Sequence, residues 1–293
     1  MHNKFLVITL SNIGDALMTI PVMEYIHKKH PTYKIDIVCD RKSYDLFKYC
    51  PYLNKIYLKD KKKGFFGNFK LLLELRKNCY EIAVDLRTDL LLYFIKSKKK
   101  FFKVNDKKVH SVKKHFAALK IGQSYPIQTN FWIPKDINHN IKKRLGENFG
   151  RVLALGIGAN SPVKIWPSKN YANLVNYLKK SFDLVVLVGD DRDKKISLDF
   201  VKNTTIKTIN FCGKLSIIET AALIKLSKFF IGNDSGLGHL ASAVKTPSYS
   251  IFGIGNPIRY SPWGKKAYWY QNKEKNILKI TPEEIYEDLR KII

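Results

Sequence analysis

Phe229-Phe230-Ile231-Gly232-Asn233-Asp234-Ser235-Gly236-Leu237-Gly238-His239-Leu240-Ala241-Ser242-Ala243 reads as a buried strand, a glycine turn and a helix. The apolar run 229–231 suits a strand, and Leu237, Leu240, Ala241 and Val244 recur at helical spacing. Either Asp234 or Ser235 is placed to cap that helix. The backbone amides of Ser235, Gly236 and Leu237 then lack intrahelical partners and lie at the positive end of the helix dipole. Such an end binds phosphate.

The surroundings repeat the pattern. Thr246-Pro247-Ser248-Tyr249-Ser250-Ile251-Phe252-Gly253 reads as a turn and a second buried strand. Upstream, Val152-Leu153-Ala154-Leu155-Gly156 opens a series of alternating strands and helices, with Ser168 expected to cap a helix whose apolar face holds Tyr171, Leu174, Val175 and Leu178. Between them lies Gly158-Ala159-Asn160-Ser161-Pro162-Val163-Lys164-Ile165-Trp166-Pro167. A strand at 184–189 ends on Gly189-Asp190-Asp191-Arg192-Asp193. Capping boxes are expected at Ser216/Glu219 and at Thr281/Glu284, the latter with Pro282 at the first helical position.

The first half has the same grammar. Phe5-Leu6-Val7-Ile8-Thr9-Leu10 is a buried-type strand, followed by Ser11-Asn12-Ile13-Gly14-Asp15 as a turn into a helix expected to reach Lys29. Ile35-Asp36-Ile37-Val38-Cys39 is the next strand. Strand, helix, strand in this order predicts a parallel βαβ unit whose ligand side is the carboxyl edge, where Gly14 and Asp15 sit. Further strands are expected at 56–58 and 82–86, the second with Arg87 at its carboxyl end, and a helix at 69–76. Residues 96–120 hold ten basic residues and one acid, Asp106, interleaved with Phe101, Phe102, His110, His115 and Phe116. This stretch is read either as a solvated face or as a loop that meets an anionic acceptor or a membrane surface. Residues 126–141 read as a connection, with the boundary placed near Asn138.

The 293 residues, 45% of them hydrophobic, suffice for two domains with proper cores. No apolar run approaches the ~18 to 20 residues that span a bilayer, and 5–10 is too short for a signal-peptide core, so the expected location is cytoplasmic. Cys39, Cys50, Cys79 and Cys212 have no Cys-x-x-Cys spacing and read as reduced, mostly buried thiols. No histidine spacing suggests a metal site. Net charge is +27, yet only 8 of the 52 cations are Arg, so the excess consists of lysine point charges suited to phosphates or anionic lipid.

Three motifs together carry a family resemblance. Asp234-Ser235-Gly236-x-x-His239-Leu240-Ala241 with its following Pro-containing strand resembles the donor-binding signature of the heptosyltransferases, glycosyltransferase family nine, with Ser235 in place of the usual Thr. Gly14-Asp15-x-x-x-Thr19-x-Pro21 matches that family's N-terminal signature at every named position, and Lys164-Ile165-Trp166-Pro167 matches its Lys-x-Trp-Pro. The turn before Lys164 lacks the common Pro-Gly. The resemblance spans about residues 5–255.

It implies an α/β GT-B architecture of two facing Rossmann-like domains with parallel sheets. Residues 1–138 would form the acceptor-binding domain and 139–293 the nucleotide-sugar domain, with the last helix a candidate to pack back on the first. The implied activity is inverting, metal-independent transfer of heptose from ADP-heptose to a lipopolysaccharide inner-core acceptor, the nucleotide sugar being substrate and no cofactor being needed. Asp15 would be the catalytic base, and Lys164 with the helix start at Ser235, Gly236 and Leu237 would hold the donor phosphates. Asp234 would face the donor sugar and Asp193, the best placed of three neighbouring acids, the ribose, while His239 would be either a group behind the site or a packing residue. Gly14, Arg87, Lys98, Lys99 and Lys100 are the acceptor candidates. Expected partners are the nucleotide sugar, an anionic glycolipid and transiently an anionic membrane surface, at the inner face of the cytoplasmic membrane.

The rivals are a family member using another nucleotide sugar or acceptor, a dinucleotide oxidoreductase and a basic nucleotide- or nucleic-acid-binding protein. Gly156-Ile157-Gly158-Ala159-Asn160-Ser161 lacks the third glycine of a dinucleotide fingerprint. No nucleic-acid motif or aromatic reading surface appears, so no nucleic acid is expected as partner.

Overall fold

A computed structural model describes residues 3–60, 64–87, 90–120, 129–146 and 148–293. The chain divides into two units, Met1–Trp132 and Ile133–Ile293. Each is built on a parallel sheet whose inner strands are mostly short apolar runs and whose edge strands are more polar, with the strands joined by crossover connections.

In the first unit β1 (Lys4–Ile8), β2 (Lys34–Asp40), β3 (Leu53–Lys59), β4 (Tyr80–Asp85) and β5 (Ser97–Phe102) form a sheet of order β3-β2-β1-β4-β5. Leu6 and Ile8 of β1, Val38 of β2 and Ala83 of β4 join Leu71, Leu75, Leu91 and Leu92 in one buried cluster. Strand order reverses between β1 and β4, and at such a switch the carboxyl ends of the strands open a crevice.

The second unit contains β6 (Val152–Gly156), β7 (Leu184–Leu187), β8 (Thr208–Asn210), β9 (Phe229–Asn233), β10 (Ser248–Phe252) and β11 (Ala267–Gln271), in the order β11-β10-β9-β6-β7-β8. Its switch lies between β6 and β9. The final helix, Pro282–Leu289, packs on the helix Ser168–Tyr177, and its Ile285 and Leu289 are buried in this unit's own core.

Several local expectations are corrected. The helix expected from Asp15 to Lys29 is two helices, Ile13–Leu17 and Ile20–Lys29. Pro21 has no N–H to give the Leu17 carbonyl, so the first helix closes at Met18 and the second starts with Pro21 in its first turn. Ser168 does not cap its helix: Pro167 is the N-cap, and the Ser168 hydroxyl donates to Asp199. Residues 96–120 are not one loop, since β5 and the helix Ser111–Ala118 flank an irregular connection over 103–110. The connection expected over 126–141 ends in the helix Lys135–Leu145, whose buried Ile141 and Leu145 face the helix Ile217–Leu226; residues 126–128 lie outside the described residues. The unit boundary thus falls before that helix, and Asn138 lies within it.

Cys39, Cys50 and Cys212 are buried, with thiols pushed up to about 12 chiefly by loss of water, whereas Cys79 is exposed. Both expected capping boxes, Ser216/Glu219 and Thr281/Glu284, are formed. Among the described residues no helix is long and apolar enough to cross a membrane.

Candidate active site

The two strand-order switches collect the polar residues singled out by sequence. In the second unit the anchor is Asn233, the last residue of β9 and fully buried. Its Oδ1 accepts from the Trp166 backbone N–H at 3.0 Å and from the Tyr171 hydroxyl at 2.9 Å. Its Nδ2 donates to the Ile157 carbonyl at 2.8 Å and to the Gly158 carbonyl at 3.3 Å. All four bonding positions of the amide are used, which locks the glycine turn after β6 to the end of β9.

Trp166 explains the remainder of Lys-x-Trp-Pro. Its ring is wholly buried, donates from Nε1 to the Ile280 carbonyl at 2.9 Å and meets the Tyr171 ring edge-on at 4.8 Å. Pro167 starts the next helix. With that tryptophan fixed, the single turn Pro162–Lys164 presents Lys164, whose Nζ lies 2.6 Å from Asp234 Oδ2. The lysine side chain is 32% exposed and the aspartate 10%.

Asp234 directly follows β9 and precedes the helix Gly236–Ala243. The N-cap of that helix is Ser235, not Asp234, and neither closes it with a side-chain bond. The Ser235 hydroxyl is buried without a partner among the described residues. First-turn amides, an unpaired hydroxyl and a lysine ammonium therefore meet at one place, a combination suited to phosphate. Gly255 completes the enclosure: a Cβ there would lie 2.4 Å from Asp234 Oδ2, so any larger residue would force this carboxylate to move.

His239 lies in the same helix and is buried. Asp193 is tucked over the carboxyl ends of β6 and β7, where a Cβ on Gly158 would lie 1.9 Å from its Oδ1. It accepts from the Asp190 N–H at 3.0 Å in a capping box, and burial holds its carboxyl above the ordinary 3.8. Of its neighbours, Asp190 is pulled low by the Arg192 guanidinium, and Asp191 pairs with Lys194 at 2.6 Å.

In the first unit Asp15 stands in the first turn after β1, half-buried, accepting from Asn12 Nδ2 at 3.0 Å. Gly14 precedes it in the same turn. Thr19 and Pro21 of the motif are structural: Thr19 Oγ1 lies 2.7 Å from both the Thr9 hydroxyl and the Ala16 carbonyl, and Pro21 starts the second helix. Arg87 follows β4, donating its backbone N–H to Asp85 Oδ1 at 2.7 Å and pairing with Asp40, at the end of β2, at 3.2 Å. Asp15 and Arg87 thus share the carboxyl edge of one sheet.

Lys98, Lys99 and Lys100 are not at that edge. Lys99 is in register with Ile82 and Lys100 with Ala83, in the middle of β4, while the carboxyl end of β5 is Phe102 opposite Asp85. Lys98 is paired with Glu81 at 2.9 Å, and Lys100 donates to the Tyr93 carbonyl at 2.8 Å. Sequence reading missed Asn233 and Gly255, because one polar residue and one glycine beside a turn carry no signal of what they touch.

Two Rossmann-like units with parallel sheets are the GT-B fold of solved heptosyltransferases, and the lysine and helix start of the second unit suit phosphate. The family model glycosyltransferase family 9 (heptosyltransferase) matches residues 87–288, and the chain belongs to that family. Lipopolysaccharide heptosyltransferase 3 of Escherichia coli K12 is 25% identical over 89% of this chain and 86% of its own. Lipopolysaccharide heptosyltransferase 1 of Campylobacter coli is 27% identical over 85% and 84%. Among solved structures, E. coli ADP-heptose LPS heptosyltransferase II superposes with a TM-score of 0.82 at 22% identity, covering 99% of this chain and 98% of that one. The family 9 transferase of Veillonella parvula gives 0.88 at 19% identity, covering 100% and 98%.

Proposed function

We propose that this glycosyltransferase moves heptose from ADP-heptose to a lipopolysaccharide inner-core acceptor, with inversion and with positive charge supplied by the protein in place of a metal. The observation that carries the reading is the Lys164–Asp234 pair at the start of the Ser235 helix. Departure of a nucleoside diphosphate builds negative charge on its terminal phosphate. A fixed ammonium and a helix N-terminus stabilise that charge as it develops.

Asp15 takes the proton of the acceptor hydroxyl as its oxygen bonds to the anomeric carbon, while the bond from that carbon to the diphosphate oxygen breaks. Asp234 releases Lys164 to the phosphate and turns to the hydroxyls of the sugar. Gly14 leaves room beside Asp15, and Arg87 meets an anionic group of the acceptor. The names of the relatives support the heptosyl and lipopolysaccharide parts of this reading. Such work places the protein at the cytoplasmic face of the inner membrane.

Incubating the purified protein with ADP-heptose and a heptose-deficient core glycolipid, followed by mass spectrometry of the lipid, tests it. Addition of one heptose is expected. No transfer from ADP-heptose, alongside transfer from a different nucleotide sugar, would assign the same fold to another donor.

A further inference from the structure

The turn Leu91–Phe94 that precedes β5 is divided between core and solvent in an unusual way. Leu91, Leu92 and Ile95 are buried in the first unit's core, while Leu90, Tyr93 and Phe94 are 74%, 62% and 57% exposed. Phe102 on β5 adds a fourth exposed apolar side chain, its ring 4.8 Å from that of Tyr93. Three aromatics and a leucine are thereby held outward in one cluster.

Cations surround the cluster and are fastened to its backbone. Lys100 Nζ donates to the Tyr93 carbonyl at 2.8 Å, and Arg76 Nη1 to the Phe94 carbonyl at 3.0 Å. Lys96 follows the turn, exposed, and strand alternation puts Lys98 on the same face of β5 as Lys100 and Phe102. Glu81 offsets one of these charges through its pair with Lys98.

We propose that this face docks on an anionic phospholipid bilayer. Rigidly presented Leu, Tyr and Phe side chains with lysines at their rim match an interface in which apolar groups enter the acyl boundary while ammonium groups meet phosphates. The lysine-rich net charge of +27 has the complementary sign. The placement rests on neither the donor nor the acceptor assigned above.

Full-length protein is sedimented with vesicles of phosphatidylcholine alone and of phosphatidylcholine with phosphatidylglycerol, at low and high salt. Binding to the anionic vesicles that weakens with salt is expected. The double variant Tyr93→Ser/Phe94→Ser should bind about tenfold more weakly, and Lys96→Gln/Lys98→Gln should lose roughly fivefold per lysine. ADP affinity should be unchanged in both, as a control for folding. Tyr93→Trp should show blue-shifted emission on the anionic vesicles only, a readout that stands even if the double variant misfolds. Unchanged vesicle binding by both variants, or an unshifted Tyr93→Trp, overturns the proposal. So does a dimer that Tyr93→Ser/Phe94→Ser converts to monomer, or short RNA binding that the same variant abolishes, since either makes a different partner the occupant.

Discussion

Lys164 Nζ and Asp234 Oδ2 lie 2.6 Å apart across seventy residues of sequence, joined at the point where β9 meets its helix. The Lys164 ammonium is therefore already compensated by a carboxylate. On the proposed function, a bound diphosphate takes the place of that carboxylate.

Lys164→Ala should weaken ADP binding ten- to hundredfold, since a hydrogen bond to a charged group contributes about 1.5 to 3 kcal/mol. Asp234→Asn should behave differently, because neutralising the competing carboxylate leaves Lys164 free for phosphate. Calorimetry is expected to show ADP affinity maintained or raised in Asp234→Asn while sugar transfer falls. Equal loss of ADP affinity in both would contradict the exchange of partners.

Asn233→Ala removes an amide whose four bonds are all to buried groups, leaving the Trp166 N–H and the Ile157 carbonyl among those stranded. Each group left stranded costs about 1 to 3 kcal/mol, less where the turn relaxes or water reaches it. Chemical denaturation should show a loss of about 2 to 4 kcal/mol, at the large end for one substitution. Little change would mean that the turn is held otherwise.

Asp193 predicts a pH dependence of defined sign. Burial raises its folded carboxyl above 3.8, so the native state binds its proton more tightly than the unfolded chain. Its contribution is most favourable below the unfolded value and is lost as pH rises through the folded one. Asp193→Asn keeps an oxygen for the Asp190 N–H and removes the buried charge. Denaturation midpoints compared from about pH 3 to about pH 7 should show the variant gaining on the parent as pH rises; a gain at the acid end only would reverse the sign and reject it.

Much of this site was legible because its residues fall where strands end. The run 229–243 appears as read, strand, turn and helix, and both capping boxes form. The misses have local causes. β5 is Ser-Lys-Lys-Lys-Phe-Phe, an edge strand whose lysines guard its open side, and a lysine run reads as a solvated loop. β11, also an edge strand, has half-exposed aromatics without alternation and went unread. Thr19 and Pro21 read as family markers, whereas the geometry shows why a helix must break there. Asn233 stands between a glycine and an aspartate, where an asparagine suggests a turn residue; only the fold reveals what its amide ties together.

On the proposed function, Asp15 accepts the acceptor's proton. Asp15→Asn is nearly isosteric, can still face Asn12, and loses at most about 0.3 to 1 kcal/mol of helix-dipole stabilisation. The decisive measurement is the initial rate of heptose transfer by Asp15→Asn at saturating ADP-heptose. A fall of about 10² to 10⁴ relative to the parent is expected of a lost general base, and a rate within a few-fold of the parent would exclude Asp15 as the base.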